Sequence, residues 1–379
     1  LIWFEEKGVQ YGKRAPIIRA PFSRGTHALV AVFLLLGLVA GPTLMERLAP
    51  TDPARIYGGI PATYGNYATI GAEIARPGKI DVLIIGASDA WTSLDPRIIR
   101  DQLQQRYGRE MRVLNLSTNW GGDERNAQVL ADVLRTHDVS LVLFPETDAA
   151  PLAPHELAKY WWRGDLETSG LPRRNQAQLQ LMSIIGWPRQ IWSRFQTPAT
   201  APMQDSYRSY LQMQLQNLGF NVARTGWKSH SEPNEASRRP YVELDAPPPL
   251  LTGAALFYGG PSDQSFEIRP SPYTPMQTTF VVAARDMTRA QGGVFATFSI
   301  PTHFSSVPLE RPWIRDHEGV TRDWPTFGIS QTNLFAGYSF DQMLNFYGNE
   351  SHFNESGARA FTRATLPAIE ELYAQANAD

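Results

Sequence analysis

Four short stretches carry residues that can do chemistry. The first is Gly86-Ala87-Ser88-Asp89, directly after the apolar run Asp81-Val-Leu-Ile-Ile. A serine on a tight turn at the end of a strand can expose its hydroxyl and aim its backbone N–H at the same space, which suits a nucleophile and one oxyanion donor. The same placement also suits an ordinary helix cap. The second is Asn115-Leu-Ser-Thr-Asn119-Trp-Gly121-Gly122, where two glycines let backbone N–H groups approach a ligand. The third, Pro145-Glu-Thr147-Asp148, either lines a pocket or caps the next element. The fourth runs from Gly348 to Ala358 and places His352 just before a helix start, with Asn349 and Glu350 three and two positions ahead of it.

These stretches need a scaffold that gathers strand ends. Asp81–Gly86, Arg112–Leu116, Ser140–Phe144 and Gly293–Ser299 read as strands, and Pro96–Arg106, Glu124–Thr136 and Met276–Gln291 as helices between them. Alternation of this kind predicts an α/β fold with a parallel sheet and right-handed crossovers, whose carboxyl edge collects the site. Glu355–Ala374 reads as a closing helix capped by Asn354, with a kink at Pro367.

Residues 28–45 hold 18 positions without a charge, close to the length a helix needs to cross a bilayer. Lys7, Lys13, Arg14, Arg19 and Arg24 precede this run, so the positive-inside bias places the N-terminus in the cytoplasm. The long leader and the poor small-x-small pattern near Leu38-Val39-Ala40 argue against cleavage. The expected organisation is a cytoplasmic segment 1–27, a transmembrane helix 28–48, a Gly/Pro-rich stalk 49–79, and an α/β domain 80–379 interrupted by an insertion at about 151–270. Within the insertion, 179–195 has helical spacing with Trp187 and Trp192 and suits a membrane surface, a partner, or its own domain. Residues 224–249 read as an irregular loop.

Composition narrows the function classes. The 379 residues carry 35 basic and 37 acidic side chains, a formal net charge of -2, which gives no field for nucleic acid. The absence of cysteine removes disulfides, thiolate metal sites and a cysteine nucleophile. The histidines show no metal-ligand spacing, and there is no phosphate-binding glycine loop, so no cofactor or metal is expected. His303, after the strand ending in Ser299, either flanks the cleft or sits on a surface loop.

The order of the motifs resembles the SGNH/GDSL hydrolase superfamily, in particular the membrane-anchored branch that includes alginate O-acetylation and teichoic-acid D-alanylation proteins. The match runs through DVLIIGAS, VLNLSTNWGG, the late strand ending IPTH, and SHFNESGARAFT, over residues 80–144 and 276–372. It implies a flavodoxin-like three-layer domain with Ser88 as nucleophile and His352 as general base. Gly121 or Gly122 would join the Ser88 N–H in an oxyanion hole, and Asn119, Thr147, Asp148 and His303 are candidates to contact substrate. Where the family has an Asp three residues before its His, this chain has Asn349. Asn can hold an imidazole tautomer but supplies no charge, and in a serine-protease triad the Asp-to-Asn change costs roughly 10⁴ in turnover; Glu350 is the other candidate for that role. The resemblance implies an extracytoplasmic O-acyltransferase or esterase, with acetyl the expected group and a cell-surface polysaccharide the substrate. It would work with a multi-pass acyltransferase in the inner membrane. The alternative is an inactive scaffold in a membrane complex.

Overall fold

The computed structural model describes residues 24–48, 52–60, 67–118, 121–147, 151–193, 220–223, 226–229, 256–258, 266–269, 272–302, 308–316, 320–348 and 351–378. It divides into two compact units, 1–50 and 51–379. The first contains one helix, Arg24–Leu48. Seven apolar side chains from Leu29 to Leu36 stand more than half exposed on it. The expected span falls in this helix, but side chains beyond residue 37 lie outside the described set. Among the described residues, no helix is long and apolar enough to cross a membrane.

The second unit is α/β. Its strands in chain order are β1 (Ile80–Ile84), β2 (Val113–Asn115), β3 (Val139–Pro145), β4 (Phe220–Ala223), β5 (Gly226–Ser229), β6 (Leu256–Tyr258), β7 (Glu267–Arg269), β8 (Val294–Ser299), β9 (Trp313–Arg315) and β10 (Thr326–Gly328). Six of them form the central sheet in the order β2-β1-β3-β8-β10-β6. All its pairs are parallel except the edge pair of β10 with β6. Counting the parallel strands alone, the order is 2-1-3-4-5, the doubly wound arrangement whose direction reverses between β1 and β3.

Both faces of the sheet are covered, which is why β1 and β3 are continuous apolar runs rather than alternating ones. Val82 and Ile84 face a layer built by Ala90, Ile99, Leu103, Phe361 and Leu372. Leu83 and Ile85 face the opposite layer, with Ala127, Leu130, Phe280 and Ala284. Helix Pro96–Tyr107 begins on an Asp95 cap with Pro at its first turn and ends on Gly108 at φ 66, a conformation that glycine adopts without strain. Helix Pro275–Ala290 begins with a reciprocal Thr274/Gln277 capping box.

Of the stretch expected to be a stalk, 49–79, the described residues 52–60 and 67–79 are instead folded into this unit. It carries helices Pro53–Gly58 and Tyr67–Ala75. Tyr57, Tyr67, Ile70 and Ile74 are buried in the second core, and the Tyr57 hydroxyl donates to Asp132 Oδ2 at 2.7 Å. Gly71 permits the two helices to touch, since a Cβ there would lie 2.4 Å from the Ala54 carbonyl. A Gly/Ala/Tyr-rich segment looks like a linker in one dimension because its small residues serve close helix contact, which only the fold reveals. The insertion also begins as core: Trp161, Trp162, Leu171 and Leu179 pack with Phe280. Of the loop expected at 224–249, the described part is strand β5, paired with β4, and the remainder lies outside the described residues.

Candidate active site

Ser88 stands four residues beyond the end of β1, beside the point where the sheet order reverses, as the first residue of a short helix, Ser88–Ser93. First-turn N–H groups have no acceptor within their own helix, which suits the Ser88 N–H to a ligand, while the Ser88 carbonyl accepts from Thr92 Oγ1 at 3.1 Å. The turn depends on Gly86: a Cβ there would lie 2.4 Å from the Ala90 Cβ and 2.7 Å from the Pro145 ring. Asn115, at the end of β2, holds the helix from below through weak bonds from Nδ2 to the Ala90 and Leu94 carbonyls, at 3.5 and 3.4 Å.

His352 arrives from 264 residues away in sequence, and its Nε2 lies 2.8 Å from Ser88 Oγ. The loop that carries it is clamped at both ends. The Gly348 N–H donates to the His352 carbonyl at 2.9 Å, and the Asn354 N–H to the Phe346 carbonyl at 2.9 Å. Asn354 caps helix Glu355–Gln375 by accepting from the Gly357 N–H at 3.0 Å. Gly357 is required there, because a Cβ would lie 2.2 Å from the Phe346 carbonyl. The Tyr347 hydroxyl donates to the Pro301 carbonyl at 2.9 Å, fixing the loop to the end of β8. Across the site, the Asp95 N–H donates to Thr362 Oγ1 at 2.8 Å, so the helix that follows His352 is bonded to the segment that follows Ser88.

On its other side the imidazole meets Ser351 Oγ, 3.0 Å from Nδ1. Burial pulls the ring down to about 4, so it is neutral at physiological pH. A neutral imidazole with one nitrogen on a serine hydroxyl is arranged to accept that hydroxyl's proton.

Gly121 and Gly122 precede helix Asp123–Leu134, with Gly122 as its extended N-cap. The link from this helix to the Ser88 turn is Arg125, a residue the sequence reading passed over. Its side chain is fully buried, and Nη1 donates to the Gly86 carbonyl at 3.3 Å and to Asn126 Oδ1 at 2.7 Å. The guanidinium also packs on Gly121, where a Cβ would lie 2.9 Å from Nε. One cation thereby touches the Ser88 turn and the glycine turn together. The neighbouring acids are equally enclosed. Burial, then the charges of Glu124 and Asp89, push Asp123 up to about 8. Burial also raises Glu124, against the His155 N–H that donates to it at 2.6 Å. A charged first turn usually signals a solvated helix end, and nothing in the pattern Asp-Glu-Arg-Asn marks it as interior.

Glu146, at the end of β3, was read only as part of a polar strand end. It accepts from Arg322 Nη1 at 2.7 Å and from the Tyr273 hydroxyl at 2.8 Å. Arg322 Nη1 also donates to Thr326 Oγ1 at 2.7 Å, which closes a buried network under β8 and β10. Thr147 follows on the same carboxyl edge, partly exposed. Asn119, Asp148, His303, Asn349 and Glu350 lie outside the described residues. Among the described residues, no three His, Asp or Glu side chains are placed to hold a metal ion. Comparison with family models, with curated proteins and with solved structures finds no match to this chain.

Proposed function

We propose that this chain is an extracytoplasmic serine O-acyltransferase or esterase of SGNH type, which moves or removes an acyl group, acetyl by expectation, on a cell-surface polysaccharide. The observation that carries the reading is the 2.8 Å contact of His352 Nε2 with Ser88 Oγ at the switch point of a doubly wound sheet. Ser88 Oγ adds to the acyl carbonyl while its proton passes to His352 Nε2. The oxyanion is met by the Ser88 N–H and by Gly121 or Gly122, and the imidazolium returns its proton to the departing alcohol. A sugar hydroxyl or water, deprotonated by His352, then takes the acyl group from the serine.

The apolar residues 28–45 and the exposed side chains from Leu29 to Leu36 support an anchor in a bacterial inner membrane, with the N-terminus cytoplasmic and the α/β unit outside. On this reading a multi-pass membrane acyltransferase supplies the acyl group. Asn349 favours a second reading, a scaffold that has lost its triad acid and serves a membrane complex. Incubation with a fluorophosphonate, followed by mass mapping, separates the two. Covalent label on Ser88, absent from Ser88→Ala, is expected of the enzyme. A wild-type chain that stays unlabelled and hydrolyses no aryl acetate leaves only the scaffold.

A further inference from the structure

Among the described residues, six large apolar side chains outside the first helix are prominently exposed: Tyr107, Leu152, Leu181, Ile185, Trp192 and Ile268. Three of the six lie on one helix, Arg173–Ser193, and a fourth stands beside it, which makes a patch rather than scatter. Leu181 (55%), Ile185 (57%) and Trp192 (65%) belong to it. Leu152 (80%) stands beside its first half, where the Leu152 carbonyl accepts from Asn175 Nδ2 at 3.0 Å.

At about 100° per residue, Arg174, Ala177, Leu181, Ile185, Pro188 and Trp192 fall within about 60° of one line along the helix, about 27 Å long. All six are exposed. The opposite line, Asn175, Leu179, Gly186 and Gln190, is buried in the domain. Gly186 brings the backbone against Lys159, whose carbonyl would lie 1.8 Å from a Cβ, and Gln190 Nε2 donates to the Trp162 carbonyl at 3.0 Å. The inner face is therefore used in packing, and among the described residues the outer one is left exposed.

Charge decides what covers it. The helix contains no Asp or Glu, and Arg173 and Arg174 are exposed in its first turn, where the positive end of the macrodipole opposes cations. Arg189 is drawn inward onto the Tyr160 ring at 4.6 Å. A second copy would set this wholly cationic helix against itself, whereas an anionic surface offsets both charges. We infer that helix Arg173–Ser193 lies on an anionic phospholipid bilayer, with Leu181, Ile185 and Trp192 at the boundary of headgroups and acyl chains and Arg173 and Arg174 on lipid phosphates.

The chain has no cysteine, so single labels can be placed without background. The full-length protein carrying a nitroxide at Leu181→Cys, Ile185→Cys or the exposed control Gln105→Cys is reconstituted into phosphatidylglycerol-rich or pure phosphatidylcholine vesicles. Electron paramagnetic resonance then reads collision with dissolved oxygen against collision with an aqueous nickel complex. The ratio at 181 and 185 is expected to exceed that at 105 several-fold in phosphatidylglycerol, and to fall toward the control in phosphatidylcholine or in an R173E/R174E background. Equal ratios at all three sites in phosphatidylglycerol overturn the inference. So does dipolar broadening between labels at 181, which assigns the face to a second copy. Immersion that is the same in both lipids and indifferent to R173E/R174E overturns its anionic component.

Discussion

The low proton affinity of His352 fixes the form of an acid titration of Ser88 reactivity. Burial holds the imidazole at about 4, against an ordinary value of about 6.5. At pH 5.5 a base with the lower value is neutral in about 97% of molecules, and one with the ordinary value in about 9%. The second-order rate of Ser88 labelling by a fluorophosphonate, followed by intact mass, should therefore keep nearly all of its neutral-pH value at pH 5.5. Half the rate should be lost only near pH 4. His352→Gln should lower the plateau by roughly 10²- to 10⁴-fold and abolish the acid limb. The same shift acts on folding with a definite sign. Below pH about 6.5 the unfolded chain takes a proton on His352 that the folded chain refuses until about 4, so this contribution to stability is complete above about 6.5 and declines as pH falls through that window. Circular dichroism at each pH separates that decline from the kinetics. A labelling midpoint near 6.5 would refute the sheltered imidazole, and an unchanged rate in His352→Gln would remove it as the base.

Gly86→Ala should cost about 1–3 kcal/mol in urea denaturation and suppress Ser88 labelling, because the new methyl meets Ala90 and the rigid Pro145 ring; wild-type stability and labelling would contradict the packing of this turn. If position 349 serves the ring as the resemblance implies, Asn349→Asp should raise turnover of an aryl acetate and move the acid midpoint upward from about 4, since a neighbouring carboxylate favours the imidazolium. No change in either quantity would show that position 349 does not serve the imidazole. Asp123→Asn should stabilise the fold at pH 7 but not near pH 4. With the folded value raised to about 8, the folded chain retains a proton that the unfolded chain releases above about 4, and the resulting penalty grows as pH rises through that interval. Urea midpoints that differ equally at both pH values would rule this out.

What was legible in the sequence follows from how local each signal is. The runs at 80–84 and 139–145 announce buried parallel strands because both faces are covered, and Asn354 announces a helix because capping is decided within three residues. Ser88 and His352 could be paired through motif order, and their contact joins residues that the chain keeps far apart. Strand β10 was missed because its place between β8 and β6 is fixed by pairing partners rather than by a local pattern. The helices at 53–58 and 67–75 were missed because their burial depends on Tyr57 reaching Asp132, 75 residues away. Arg125 was invisible for a related reason: a charged residue in a first turn reads as surface until the Gly86 carbonyl is seen against it.

The electrostatics of that first turn bear directly on whether an oxyanion can form here. A tetrahedral intermediate places negative charge near the Ser88 N–H and the glycine turn, and the residues that follow the turn, Asp123 and Glu124, would oppose it if both were ionised. Burial moves each acid toward its neutral form, Asp123 as far as about 8. With Asp123 protonated, the ionic groups of this turn no longer sum to a net negative field, and the guanidinium sits between the Gly86 carbonyl and Gly121. A neutral base that takes the serine proton and a helix start relieved of its own acid are separate consequences of one cause, the exclusion of water from the carboxyl edge. On this account the buried turn favours the proposed oxyanion by weakening its repulsion.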